Sequence, residues 1–125
     1  MSIKTKKIKQ SFFFKDYRGY IFGVFNSFKI EESNIIYSKA KSIRGKHFHK
    51  KLFEILHVLD GNVILYISHY KTPDKIKKII KLKQRDSVLI SPYEFHWTVN
   101  NNNARWINFL TKKIDPKKPD IHKIS

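Results

Sequence analysis

The sequence predicts an all-β protein that folds as a single jelly-roll β-barrel. Short runs rich in β-branched and aromatic residues recur along the chain, and turn-forming residues separate them at intervals of roughly 8–12 residues. His47 and His49 alternate along one run, so both imidazoles would point into the space that the sheet encloses. Many short strands of this kind form a sandwich or a barrel, and we expect a jelly roll.

The individual strands follow from the same runs, which lie at residues 10–14, 20–26, 34–39, 46–49, 53–59, 62–69, 76–82, 87–91, 96–99 and 105–110. Turn signals fall between them, at residues 16–19, 31–34, 60–61, 72–74 and 100–103. The Asp60-Gly61 pair predicts a hairpin between the strands on either side of it. Residues 75–83 also fit a short amphipathic helix, but their β-branched content favours a strand.

The length and composition predict one domain. A chain of 125 residues can bury one proper core. We expect residues 1–9 to form a basic N-terminal arm and residues 112–125, with two prolines, to form an extended C-terminal tail. The absence of cysteine excludes disulfides and thiolate metal sites. No apolar run approaches the ~20 residues that span a bilayer, so we predict a cytoplasmic protein without a membrane partner.

The charge is strongly basic, with 26 Lys and Arg against 10 Asp and Glu and a net charge of +16. Such an excess suits an anionic partner, either nucleic acid or a phosphorylated small molecule. The lysines are scattered along the chain and do not form one stripe. The charge therefore supports a small anionic ligand and disfavours a nucleic-acid-binding protein.

The residues best suited to proton transfer or metal binding are three histidines and one carboxylate. Glu54 follows the His47-Phe48-His49 pair after the next predicted turn, and His96 lies in a second strand-like segment. Three imidazoles and a carboxylate inside a small barrel would form a site for proton transfer, for a metal, or for both. His57 has the opposite strand parity to Glu54, so we expect it to face outward or into an interface.

Two motifs resemble those of the cupin superfamily. His47-x-His49, four residues, Glu54, six residues and Gly61 match the spacing of the first cupin motif. The second motif is partial, because Pro92 precedes His96 by one residue fewer than in generic cupins and the motif glycine is absent.

The shortened second motif and the residues around the first motif resemble those of one branch of the cupins, the nucleotide-sugar 3,4-ketoisomerases. Residues 43–52 are similar to their RGxHxHKxL segment, and residues 90–97 are similar to their shortened P-x-x-x-H motif. Residues 16–19 resemble the DxRG opening of the dTDP-4-keto sugar 3,5-epimerases. The likeness extends over about residues 12–110.

The resemblance implies an isomerase of a nucleotide-linked 4-keto-6-deoxy sugar in glycan or polysaccharide biosynthesis. Its expected chemistry is proton transfer by histidine through an enediolate, either as 3,4-ketoisomerisation or as epimerisation. His49 is our candidate for the carbon base and His47 for its partner, with the reverse order left open. The remaining predicted substrate-binding residues are Arg44 and Arg18 for the diphosphate, together with Glu54 and His96. Tyr37, Lys39 and Lys51 are weaker candidates, included only because they lie near the first motif in the sequence.

Glu54 keeps other functions open, because the ketoisomerases usually have Gln there and work without metal. No cofactor is required by the isomerase hypothesis. With Glu54 present, however, His47, His49, Glu54 and His96 form a full cupin ligand set for Zn, Fe, Mn or Ni. The alternatives are a metal-dependent cupin enzyme acting on a related small molecule and a non-catalytic cupin that binds a sugar nucleotide. We further expect a homodimer, because small cupins tend to cover their edge strands.

Overall fold

The computed structural model describes residues 2–124 and confirms the all-β prediction. These residues contain no helix, and therefore no helix long and apolar enough to cross a bilayer. The strands are β1 Lys6–Ile8, β2 Phe12–Asp16, β3 Gly19–Gly23, β4 Glu32–Ser38, β5 Ser42–His47, β6 Glu54–Asp60, β7 Val63–His69, β8 Ile76–Leu82, β9 Ser87–Ile90, β10 Glu94–Asn100 and β11 Ala104–Leu110.

The strands form two principal antiparallel sheets. One sheet has the order β1-β9-β6-β11-β4, and the other has the order β5-β10-β7-β8. Strands β2 and β3 form a separate hairpin. Among the described strands, only β2–β3 and β7–β8 are consecutive in the chain and also paired, so most connections cross from one sheet to the other. This repeated crossing is the jelly-roll arrangement that the sequence predicted.

The hydrophobic core lies between the two sheets. Alternate residues of the central strands face inward, and the core contains Leu56, Val58, Val63, Leu65, Ile67, Ile80, Leu82, Val88, Ile90 and Trp106. Each fully buried aliphatic side chain of this kind contributes about 1.5–3 kcal/mol of transfer free energy. The core fills one part of the barrel and borders a cavity whose lining is partly polar and partly apolar.

The prediction of a hairpin at Asp60-Gly61 is wrong. Strand β6 pairs with β9 and β11, whereas β7 pairs with β10 and β8, so the turn joins two different sheets. Gly61 has a φ of 79°, and a Cβ there would lie 2.6 Å from the carbonyl oxygen of Asn103. The turn residues were recognised correctly. Their flanking strands separate because each buries its apolar face in the core from a different side.

The prediction of a basic arm over residues 1–9 also needs correction. Residues 6–8 form β1, which pairs with β9 at the edge of the five-stranded sheet. The buried Glu94 carboxylate accepts hydrogen bonds from the backbone N–H groups of Lys4 and Thr5 and from the Thr5 hydroxyl. Because this segment is rich in lysine, its sequence did not indicate a strand. The buried Thr5 holds the strand to the barrel. Residue 1 lies outside the described range.

Candidate active site

A β-bulge in β5 aims two functional side chains into one cavity. Thr98 of β10 lies opposite Arg44, but His96 lies opposite His47, so Lys46 is an extra residue between the two pairs. Lys46 has a positive φ of 59°. Side chains of a regular strand alternate between faces, and residues three apart would point to opposite sides. Because of the bulge, Arg44 and His47 both line the cavity.

Glycine is required next to the bulge. Gly45 has a φ of 99°, and a Cβ on it would lie 2.9 Å from the carbonyl oxygen of His96 and 3.1 Å from the Cα of Trp97. A side chain would therefore push β5 away from β10 at the point where their two histidines meet. This is a physical reason for the Arg-Gly pair in the motif.

The three histidines and the carboxylate converge as predicted. One candidate ligand atom from each of His47, His49, Glu54 and His96 lies within 4.8 Å of the others. The imidazole centroids are 4.9–5.3 Å apart. His49, Glu54 and His96 are buried, whereas His47 is only partly buried and faces the open cavity.

Backbone carbonyls fix the tautomers of two histidines. The Nδ1 of His49 donates to the carbonyl of Asp120 at 2.7 Å, and the Nδ1 of His96 donates to the carbonyl of Glu94 at 2.9 Å. Their Nε2 atoms lie 3.2 Å and 3.7 Å from the same oxygen of Glu54. A carbonyl and a carboxylate both only accept hydrogen bonds. The arrangement therefore calls for a proton on Nε2 or for a cation between Nε2 and Glu54.

The protonation states of the cluster diverge. Burial, with the neighbouring His96 and His49, lowers the pKa of His47 to about 4. Burial alone would lower the pKa of His49 as well, but the hydrogen bond and the negative charge of Glu54 outweigh it and raise that pKa. Burial would raise the pKa of Glu54, yet its hydrogen bonds with His49 and His96 lower it. A neutral imidazole at His47 thus lies beside two groups, His49 and Glu54, whose pKa shifts favour their charged forms.

The cavity in front of His47 has a volume of about 240 Å³. Asn108 lines it, and its amide donates to the second oxygen of Glu54 at 3.3 Å. The cavity therefore has one polar, titratable end, while an apolar wall is formed by Ile36, Leu56, Ile90 and Trp106. Trp106 belongs both to the hydrophobic core and to this cavity wall.

Arg44, a predicted diphosphate ligand, lies at the exposed side of this cavity. Its Nε donates to the hydroxyl of Ser38 at 3.1 Å, and one terminal nitrogen donates to the carbonyl of Tyr37 at 3.0 Å. These bonds use two of the five N–H groups of the guanidinium and restrict its direction. The rest of the guanidinium can bind an anion.

Arg18, also predicted to bind the diphosphate, is not brought to this cavity. It lies at the tip of the β2–β3 hairpin and forms two side-chain hydrogen bonds, of 3.0 Å and 2.6 Å, with Asp16. It lines a separate depression on the hairpin itself. Within this chain, Asp16 and Arg18 of the DxRG segment therefore stabilise the turn in which they lie.

The three weaker candidates, Tyr37, Lys39 and Lys51, do not line the cavity either. Tyr37 is exposed and follows Ile36, which lines the cavity, so its side chain lies on the opposite face of β4. Lys39 and Lys51 are exposed, and the backbone N–H of Lys51 donates to Asp120. Proximity to the motif in sequence was not enough to place them in the cavity, because strand alternation directs Tyr37 outward and the two lysines lie outside the strands.

His57 does lie on the opposite side of β6 from Glu54, but it is not exposed. Only 6% of it is accessible, its Nδ1 lies 2.6 Å from the hydroxyl of Ser87, and the ring of Phe22 packs 5.9 Å away. The β2–β3 hairpin therefore covers this outer face of the sheet, which explains a buried histidine away from the site.

The C-terminal tail supplies a contact that the sequence did not predict. The Asp120 carboxylate accepts hydrogen bonds from the backbone N–H groups of Lys50, Lys51 and Leu52, at 2.8–3.0 Å. An isolated antiparallel bridge joins Phe48 to His122. The tail is thus fastened along the segment that carries His49. A carboxylate 68 or more residues from its partners gives no local signal in the sequence.

A second depression is larger and more basic, but it lies apart from the histidines. It measures about 1060 Å³ and opens widely to solvent between β1 and the β8–β9 turn. Its cationic residues are Lys7, Lys9, Lys83 and Arg85. Lys7 forms an exposed ion pair with Asp86 at 3.1 Å. Within residues 2–124, no histidine lines this depression, so the cavity beside the histidine cluster is the candidate active site.

The antiparallel jelly roll and its inward cluster of three histidines and one glutamate define a cupin-type protein. The chain belongs to the polysaccharide biosynthesis C-terminal domain family, which matches residues 14–122. No curated protein matches it by sequence.

Solved structures share the fold. A 3,4-ketoisomerase from Helicobacter canadensis is 19% identical with a TM-score of 0.83, over 98% of this chain and 92% of that one. A variant of the 3,4-ketoisomerase QdtA from Thermoanaerobacterium thermosaccharolyticum, in complex with TDP-4-keto-6-deoxyglucose, is 20% identical with a TM-score of 0.78, over 99% and 90%. The capsular polysaccharide assembling protein CapF from Staphylococcus aureus is 19% identical with a TM-score of 0.65; the match covers 78% of this chain but only 27% of CapF.

Proposed function

We propose that this protein isomerises a nucleotide-linked 4-keto-6-deoxy sugar for polysaccharide biosynthesis. The observation that carries the proposal is the cavity in which a neutral His47 faces the open space between the buried His49–Glu54 pair and Arg44. The membership in a polysaccharide biosynthesis family supports it, as does the fold shared with 3,4-ketoisomerases. A small, partly apolar cavity with a few convergent polar groups is typical of a small-molecule site.

The proposed reaction moves protons between neighbouring carbons and between their oxygens. A base removes the proton from C3, which is acidic because it adjoins the C4 carbonyl, and the electrons form an enediolate over C3 and C4. A proton then returns at C4, the hydroxyl proton of O3 is transferred to O4, and C3 becomes the carbonyl carbon. No redox cofactor is needed, since the substrate and the product have the same composition.

We assign the carbon base to His47, which reverses the order that the sequence favoured. His47 faces the cavity and stays in its basic form at neutral pH, since burial lowers its pKa to about 4. His49 is buried behind it, with a raised pKa and with Nδ1 bound to a carbonyl. The raised pKa of His49 favours its protonated form, which cannot act as a base. His49 is better suited to the partner role, in which it holds a proton beside Glu54 and supplies it to the oxygens.

A metal-dependent reaction at the same residues is the second candidate. Metal-bound histidines usually donate their other ring N–H to a backbone carbonyl, as His49 and His96 do here. His47, His49, Glu54 and His96 offer nitrogen and oxygen donors within 4.8 Å of one another, so the residues fit a divalent cation with small adjustments. A bound cation would polarise the sugar carbonyl and stabilise negative charge on its oxygen.

We also propose a homodimer, as expected for exposed edge strands. The β2–β3 hairpin pairs with no other strand within residues 2–124, and about half of the surface of Phe12, Phe14, Tyr20 and Ile21 is accessible. A partner covering this apolar surface would remove it from water. In such a dimer Arg18, at the hairpin tip, would contact a substrate only across the interface.

The test is turnover of a dTDP-4-keto-6-deoxyhexose by the purified protein, followed by NMR of the sugar. We expect His47→Asn to reduce turnover by at least 10²-fold, the typical contribution of a general base, while ligand binding in a thermal-shift assay is retained. His69→Asn is the matched control, because His69 does not line the cavity. Full turnover by His47→Asn would contradict the base assignment. Binding by the wild type without turnover would support the non-catalytic cupin instead.

Metal content is measured on the same preparations. Elemental analysis before and after chelation, together with turnover, separates the two candidate mechanisms. Loss of turnover on chelation and its return with Zn, Fe, Mn or Ni would support the metal-dependent enzyme. Unchanged turnover in metal-free protein would support proton transfer by the side chains alone.

A further inference from the structure

We propose that the hydroxyl of Thr98 binds the C2 hydroxyl of the substrate sugar and so contributes to its selection. This inference rests on the proposed function, since it names a contact within the same nucleotide-sugar site. Thr98 lines the cavity together with Arg44 and His96.

The first observation is that the Thr98 hydroxyl lacks a hydrogen-bond partner. The residue is 6% exposed, and its Oγ1 is the one buried side-chain nitrogen or oxygen without a partner among residues 2–124. Leaving a buried hydroxyl unsatisfied is unfavourable, and native structures rarely do so without a reason. A hydroxyl that is satisfied only when a ligand arrives supplies that reason.

The second observation is its position between the two ends of the site. Thr98 lies directly across the strand pair from Arg44 and two residues from His96 on β10. Residues two apart on a strand are separated by ~7 Å. A ligand that reaches from the imidazole cluster to the guanidinium therefore passes the Thr98 side chain.

The third observation is that the surrounding wall offers few free polar groups. The cavity-lining residues Ile36, Leu56, Ile90 and Trp106 are apolar. The amide nitrogen of Asn108, which is also on the wall, already donates to Glu54, and its amide oxygen accepts a hydrogen bond from the amide nitrogen of Asn34. Thr98 is thus available for a ligand oxygen in the middle of the site.

The covalent structure of the substrate identifies that oxygen. The diphosphate is attached at C1 and the reacting carbons are C3 and C4, so the C2 hydroxyl lies between the end bound by Arg44 and the end facing His47. A threonine hydroxyl can both donate and accept, which matches a sugar hydroxyl. The hydrogen bond would favour sugars that carry oxygen at C2 over their 2-deoxy counterparts.

The experiment measures binding of dTDP-glucose and dTDP-2-deoxyglucose by calorimetry to the wild type and to Thr98→Val, which has nearly the same shape. We expect the variant to bind dTDP-glucose about tenfold more weakly, the typical loss for one hydrogen bond. The two proteins should bind dTDP-2-deoxyglucose equally, and Thr98→Ser should restore the preference. Because the substitution removes an unsatisfied hydroxyl, the Tm of the ligand-free variant should be equal to or above that of the wild type.

Thr111→Val is the matched control. The Thr111 hydroxyl accepts a hydrogen bond from the backbone N–H of Phe53 at 2.8 Å and does not line the cavity. Its removal should lower the Tm and leave both affinities unchanged.

The outcomes distinguish a failure of the Thr98 assignment from a failure of the proposed function. Equal binding of dTDP-glucose by the wild type and Thr98→Val, or a lower Tm for Thr98→Val with unchanged affinities, would overturn the Thr98 assignment alone. A wild type that binds neither dTDP sugar and turns over no dTDP-4-keto sugar would overturn the proposed function, and this inference with it.

Discussion

His49 donates its Nδ1 hydrogen to the backbone carbonyl of Asp120, 71 residues later in the chain and 2.7 Å away. The bond fixes which nitrogen of the imidazole faces Glu54. Because the Asp120 carboxylate also binds the backbone that follows His49, one residue of the tail holds both the ring and its strand end. The C-terminal tail is therefore part of the construction of the site.

Replacing Asp120 by asparagine should destabilise the protein and weaken catalysis. The carboxylate accepts three backbone hydrogen bonds and pairs with His122 at 2.9 Å. Hydrogen bonds to a charged group contribute about 1.5–3 kcal/mol each at most, so we expect a loss of about 1–3 kcal/mol in the free energy of unfolding. Urea denaturation measures it. Asp115→Asn, at an exposed turn where Asp115 binds Lys117, is the control and should change little.

The contribution of Asp120 should also depend on pH. Its hydrogen bonds to the 50–52 backbone outweigh burial and lower its pKa in the folded protein below the usual 3.8. A carboxylate whose pKa is lowered by folding stabilises the folded state at pH values above its pKa in the unfolded chain. This stabilisation is lost as the pH falls through its pKa in the folded protein. The difference in urea midpoint between wild type and Asp120→Asn should be full at pH 6 and shrink below about pH 4. A constant difference down to pH 2 would contradict the anionic contact.

Turnover should persist into mildly acidic solution. The pKa of His47 is lowered to about 4, so the base stays unprotonated at pH 6 and gains a proton only as pH approaches that value. We expect kcat/KM to be flat from pH 7 to about 5 and to fall below it, since this quantity follows the free enzyme. Circular dichroism at each pH checks that the fold is intact. An acid limb centred near 6.5 would instead indicate an unperturbed histidine.

Gly45→Ala should damage the site more than Gly19→Ala does. Both glycines have positive φ angles, of 99° and 136°. A Cβ at Gly45 would lie 2.9 Å from the His96 carbonyl, whereas at Gly19 nothing lies within 4 Å. We expect both to lose about 1–3 kcal/mol through backbone strain, but only Gly45→Ala to lose turnover in addition. Equal turnover by the two variants at matched folded fractions would show that β5 can yield without moving His47.

The sequence predicted the structure correctly where the local pattern of residue types matches the burial of the side chains. Residues 76–82 were predicted as a strand with the bounds that β8 has, because β-branched residues and turns mark its ends. The convergence of His47, His49, Glu54 and His96 followed from motif spacing and is observed. The strand depends on short-range periodicity, which a single sequence contains. The convergence depends on the pairing of β5 with β10, far apart in the chain, and it was predicted only through the resemblance to the two cupin motifs.

What the sequence could not predict depends on contacts across long separations. The Asp60-Gly61 turn is clear in the sequence, but which sheet each flanking strand joins is decided by packing in the core. The orphan hydroxyl of Thr98 is visible only when its surroundings are known. Tyr37 and Lys39 were placed by proximity alone, and the alternation of β4 directs Tyr37 away from the cavity.

The bulge at Lys46 has a consequence for anyone who rebuilds this site on another scaffold. If Lys46 instead paired regularly in the ladder, so that β5 had no bulge, His47 and Arg44 would be three residues apart on a regular strand and would face opposite sides of the sheet. The proton-transfer group and the anion-binding group would then be separated without altering either side chain. A designer must therefore transplant the bulged backbone together with the motif residues. The bulge changes which face of the sheet His47 occupies, and the chemistry depends on this as much as on the imidazole itself.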